Sequence, residues 1–208
     1  MVKLERAAGA SGVLGVGAIA AQYILVGLAA PAGEALSHDR TRWEWVTLLR
    51  MLGGLGLIWF TAGLATRLDR PGSRARNPAA IVYGAGVLWG FAWLLSALFN
   101  SAALLLANVY ADPWRARFLG VLGVQSVLVL TPILSITFLS STGAAVLASP
   151  TFPVRYAYMS LFGAACRIVL AIVDWYGTAD LAMRIMDFTL IWVVVTGIHL
   201  LGATKPVA

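Results

Sequence analysis

Six stretches of this sequence are apolar over twenty residues or more, and no other feature constrains the fold as strongly. They fall at about 8–30, 44–66, 79–109, 117–148, 155–176 and 180–202. A helix rises about 1.5 Å per residue, so roughly 20 apolar residues cross a hydrocarbon core about 30 Å thick. Inside that core each backbone N–H and C=O must find a partner within the protein, which leaves helices and closed barrels. The alternating ten-residue pattern of barrel strands is absent. The expected fold is therefore all-α: a polytopic bundle of six transmembrane helices forming a single domain over residues 1–208. Composition agrees, since 60% of residues are hydrophobic and only 12% are charged, against about 25% charged in soluble domains.

The linkers carry turn chemistry. PAGEALSHDRTRWEW (31–45), RPGSRARNP (70–78), ADPWRAR (111–117) and SPTFP (149–153) hold prolines, glycines or polar runs. The link YGTAD between the fifth and sixth segments is very short, so those helices form an antiparallel hairpin. Pro132 is expected to kink the long fourth segment. The first segment follows Lys3 and Arg6 but exceeds the 7–15 or so residues of a signal-peptide core, so it reads as a retained helix.

Orientation follows from the basic residues. With the N-terminus inside, Lys3, Arg6, Arg67, Arg70, Arg74, Arg76, Arg155 and Lys205 lie on the cytoplasmic side. Only Arg40, Arg42, Arg115 and Arg117 lie outside. Both termini are thus expected in the cytoplasm, in the inner membrane of a bacterium. Trp43, Trp45, Tyr110, Trp114, Trp175 and Tyr176 then gather near the outer interface, where aromatic rings are enriched. The net charge of +6 reads as this topology signal and attraction to anionic lipid, not as a nucleic-acid surface. Membrane lipids are the expected partners. Gly86 and Gly90, Ser11 and Gly15, and Gly17 and Ala21 repeat small residues at four-residue spacing. Such positions suit close helix packing, either internal or toward a second copy or a partner membrane subunit.

Within the apolar segments a few strongly polar side chains stand out. The stretch CRIVLAIVDWYGTADLAMRIMD (166–187) carries Arg167, Asp174, Asp180, Arg184 and Asp187. In a hairpin turning near 178, Arg167 and Asp187 fall at one depth, and Asp174 and Arg184 at another nearer the surface. Two stacked charge pairs are expected, with Asp174 and Arg184 as the structural one. Gln22, Arg50, Asn100 and Gln125 fall about 9–14 Å from the outer ends of the other four helices. Charges in a bilayer are costly and tend to face the bundle interior, partners or water. Arg50, Arg167, Asp187, Asn100, Gln125 and Gln22 are therefore the candidate ligand-binding set, a polar layer in the outer half. Its net positive charge suits an anion, a lipid headgroup or another small amphipathic ligand. The competing reading is a polar clasp that fixes helix register.

Cofactor and catalytic signatures are missing. His38 and His199 fall on opposite sides of the membrane and cannot bracket one haem. No Cys/His cluster offers a metal site, and Cys166 is alone. Lys3 and Lys205 are terminal, so no helix-borne lysine is available for a Schiff base. Ser135, Ser140, Ser141 and Thr142 lack a histidine base at matching depth and read as packing or back-bonding residues. No cofactor is expected, and the balance is against an enzyme.

Three stretches, LERAAGASGVLG, GLGLIWFTAGLATRL and SPTFPVRYAYMSLFG, together resemble the general pattern of six-helix bacterial integral membrane proteins. That resemblance implies the fold and carries no activity or site residues. Two functions follow as expectations: a membrane protein that binds or passes a small anionic or amphipathic ligand, or a noncatalytic subunit of a larger membrane complex.

Overall fold

A computed structural model describes residues 2–27, 40–69, 75–148, 152–175 and 179–202. Side chains at 2, 26–27, 173–175 and 179–188 lie outside that description. The described residues form six helices: α1 Val2–Gly27, α2 Arg40–Leu68, α3 Arg76–Asn108, α4 Pro113–Ala148, α5 Val154–Trp175 and α6 Ala179–Leu201. Each expected segment lies almost wholly within a helix. The first five contain stretches long and apolar enough to cross a membrane, and the described apolar part of α6, Thr189–Leu201, is shorter. This is a multi-pass, all-helical membrane protein.

The helices form a closed ring. Each packs on its neighbour in the chain, and α6 returns to pack on α1. Close approach at the seams depends on missing side chains. A Cβ at Gly56 would sit 2.6 Å from both Gly15 Cα and Ser11 O, so α1 and α2 touch backbone to backbone. Gly54 and Gly90 join α2 to α3 in the same way, since a Cβ on either would lie 2.6 Å from the other's carbonyl oxygen. Without a hydrophobic drive between helices in lipid, such contact lets dispersion hold the bundle together. The small residues Ser11, Gly15, Gly86 and Gly90 therefore serve internal packing. Gly17 does not, for open space surrounds it.

Aromatic rings fill the middle of the ring. Phe138 of α4 meets Trp192 of α6 edge-on, with centroids 5.7 Å apart. Trp192 also meets Phe60 of α2 at 6.4 Å, and Phe138 meets Trp89 of α3 at 5.8 Å. All four side chains are fully buried. Outside, Leu14, Trp59, Leu88, Val129, Ile133 and Ile198 are exposed, an apolar surface suited to lipid. Trp45, Tyr110 and Trp114 are exposed as expected of interfacial aromatics, but Trp43 is buried, packed with Val46, Leu104 and Leu25.

The hydroxyls of α4 behave as back-bonding groups. Ser135 donates to Pro132 O at 3.0 Å, Ser140 to Ile136 O at 2.8 Å and Thr142 to Phe138 O at 2.7 Å. The α4 helix runs on through Pro132. Between α3 and α4 the chain turns at Ala111, whose φ of 49° is in the left-handed region.

Candidate functional site

The end of the bundle holding the α1–α2 and α3–α4 connections, outer in the expected orientation, is termed here the distal end. The opposite, terminal end holds the N-terminus. Toward the distal end, three helices converge on one guanidinium. Arg50 Nε donates to Gln22 Oε1 of α1 at 2.6 Å, and Arg50 Nη1 donates to Ser96 Oγ of α3 at 2.9 Å. Arg50 is 7% exposed and Gln22 1%. Both partners are neutral. Among the described residues the ion pairs involve Arg40, Arg67 and Arg115, not Arg50. A buried charge costs several kcal/mol in desolvation even after relaxation, roughly, and neutral hydrogen bonds offset only part of it.

Asn100 stands one turn distal to Ser96 on the same face of α3. It is buried, and its Nδ2 has no hydrogen-bond partner. Its Oδ1 lies against α4, where a Cβ on Gly123 would approach it to 2.9 Å. Further unpartnered polar atoms lie buried deeper in the ring: Trp93 Nε1, Trp89 Nε1, Trp192 Nε1, Thr131 Oγ1 and Thr196 Oγ1. The indoles and the amide nitrogen can only donate, and the threonines can donate. Among the described residues the interior thus offers Arg50 with neutral partners and several donors that have none. An acceptor-rich or anionic group is the chemistry that complements it.

Comparison with known proteins gives no match. No family model, curated protein or solved structure is similar to this chain. The likeness to six-helix membrane proteins is therefore one of general pattern, and the site must be read from its own geometry.

Arg167 lies in a second tier. It is 4% exposed, and its Nε donates to Thr189 Oγ1 of α6 at 3.3 Å. Gly9 of α1 packs against Gly197 of antiparallel α6, which places Thr189 level with Gly17. That is five residues, or about 7–8 Å, from the level of Gln22 and Arg50. The expected single polar layer is thus split by more than one helical turn. The side chain of Asp187, and those of Asp174 and Arg184, lie outside the described residues.

Gln125 lies apart from these residues. It is exposed, on the outer face of α4. Gly123 is the α4 residue that meets α3, and two residues further on the helix has turned about 200°. Gln125 is therefore no member of the Arg50 group.

One buried cluster was missed in the sequence. At the terminal end Arg67 Nη1 pairs with Glu5 Oε2 at 3.1 Å, with both side chains under 10% exposed. The Arg67 guanidinium lies 4.8 Å over the Phe152 ring. His199 of α6 completes the group, 5.5 Å from Phe152 and 5.0 Å from Tyr156 between centroids. In the sequence Arg67 counts only as one of the basic residues of the cytoplasmic side. The pairing spans 62 residues and joins the neighbouring helices α1 and α2, while ring closure adds His199 of α6 to the cluster.

Proposed function

We propose that this protein is a six-span protein of the bacterial cytoplasmic membrane, with both termini cytoplasmic, that binds or passes a small anionic or amphipathic ligand in its distal half. The reading rests on one observation: Arg50 is buried among neutral partners. Anionic ligand chemistry would offset that charge and engage the donor on Asn100. Arg167, one tier deeper, would extend a positive path toward the middle of the bundle.

A direct test is thermal stabilisation of the detergent-purified protein by inorganic phosphate, octanoate and a short-chain phosphatidylglycerol. At least one should raise the midpoint in the native chain and fail to do so in Arg50→Met. Equal shifts in both proteins would overturn the reading.

A noncatalytic subunit is the second reading, and one observation favours it. Gly17 faces open space on α1, so the Gly17–Ala21 pair is available to another helix. Cysteine crosslinking at Gly17 in native membranes would capture a second copy or a partner if this reading holds. Crosslinks at Gly17 no more frequent than at exposed Leu14 would count against it.

A further inference from the structure

The α2–α3 pair carries a groove at each end of its outward face, and the two differ in their electrostatics. The distal groove, about 360 Å³, has Arg40 and Glu44 at its mouth. Their side chains are bonded to each other at 2.6 Å, so the two charges are already matched. The terminal groove, about 320 Å³, is floored by Ala62, Ala65 and Ala79, flanked by Tyr83, and bordered by Asp69 and Arg76. Both of these charged residues are exposed. Neither takes part in an ion pair among the described residues. One shallow groove therefore presents a carboxylate and a guanidinium that are separated and open to a third party.

We propose that the terminal groove holds an aminophospholipid. Its phosphate lies against Arg76, its primary ammonium against Asp69, and an acyl chain runs over the alanine floor beside Tyr83. The chemistry selects this occupant. Guanidinium recognises phosphate oxygens through its planar set of donors. A primary ammonium donates up to three hydrogen bonds to a carboxylate, as a lysine does, whereas a quaternary choline nitrogen has no N–H. A headgroup with only negative charge would satisfy Arg76 but be repelled by Asp69. The floor is apolar, and the surrounding surface is the lipid-facing one, so the chain end needs no water. This site is separate from the Arg50 group and stands or falls apart from it.

Native mass spectrometry of the delipidated full-length protein tests this, with an equimolar mixture of phosphatidylethanolamine, phosphatidylcholine and phosphatidylglycerol of identical acyl chains. The ethanolamine lipid should be retained about two- to fivefold over the choline lipid, the range set by an exposed ion pair. Asp69→Asn should erase that preference, and Arg76→Gln should weaken retention of all three. Ala80→Trp, an exposed substitution in the groove, should reduce occupancy of every lipid. Glu44→Gln, at the distal groove, should leave the preference intact. Unchanged elution and helical circular dichroism establish that each variant is folded. Equal retention of the ethanolamine and choline lipids would overturn the proposal. So would preference for the glycerol lipid, or loss of selectivity in Glu44→Gln but not in Asp69→Asn.

Discussion

Arg50 of α2 and Gln22 of α1 meet through a 2.6 Å hydrogen bond across 28 residues of sequence, and that contact sets an asymmetry. The glutamine is easily dispensable only if the arginine is gone. Gln22→Leu should leave Arg50 Nε without its acceptor, with Ser96 still bonded to Nη1, and cost about 1–3 kcal/mol, the desolvation penalty of a buried polar group left unmet. Arg50→Met should cost less, because it removes the charge with the bond. The double variant should resemble Arg50→Met alone. Thermal unfolding in detergent gives the three midpoints, and additive losses would contradict the asymmetry.

Thr131→Val should be neutral or stabilising as an unliganded protein, because the buried hydroxyl has no partner to lose. Its unfolding midpoint should not fall below that of the native chain.

The Glu5–Arg67 pair behaves differently, since both of its members are charged and buried. Glu5→Gln should destabilise, by up to about 3–5 kcal/mol, by removing the carboxylate that meets Arg67 Nη1. Glu5→Gln combined with Arg67→Met should recover most of that loss. A double variant less stable than Glu5→Gln would show that packing of Arg67 on Phe152 outweighs the charge.

Two glycines of α1 and α2 should respond oppositely to one methyl group. Gly56→Ala places a Cβ against the Gly15 backbone and should cost about 1–3 kcal/mol through overpacking. Gly17→Ala meets nothing within 4 Å, and its midpoint should be unchanged or raised by improved helix propensity.

Ala111 adopts a left-handed backbone in the α3–α4 turn. Ala111→Gly should relieve strain of roughly 1 kcal/mol and raise the midpoint by a few degrees. A fall in the midpoint would mean that the lost unfolded-state restriction dominates.

The periodicity of hydropathy made the helices legible, with ends close to those expected from turn residues. Depth was legible only in part, because counting from helix ends grouped Arg167 with Arg50 although their levels differ by more than a helical turn. Arg50, Gln22 and Asn100 are buried toward the distal end. Facing direction was not legible, because a helix presents every azimuth within four residues. Gln125 and Gly123 differ by only two positions, yet one is exposed and the other meets α3. Ser96 was also overlooked as a partner of Arg50. Its spacing of four from Asn100, on one face of α3, was the available signal. Glu5 and Arg67 lie at matching ends of the neighbouring helices α1 and α2, but that both turn toward the same interface was not legible, for the same azimuthal reason.

The α1–α6 seam, where Gly9 rests on Gly197, bears on how the protein is made. A ring in which α1 touches α6 stays open until α6 has been made, because α6 follows the five helices it closes. Until then α1 has one flank bare, and the aromatic middle lacks Trp192. A nascent chain halted before α6 would be an open arc with its polar interior uncovered along one side.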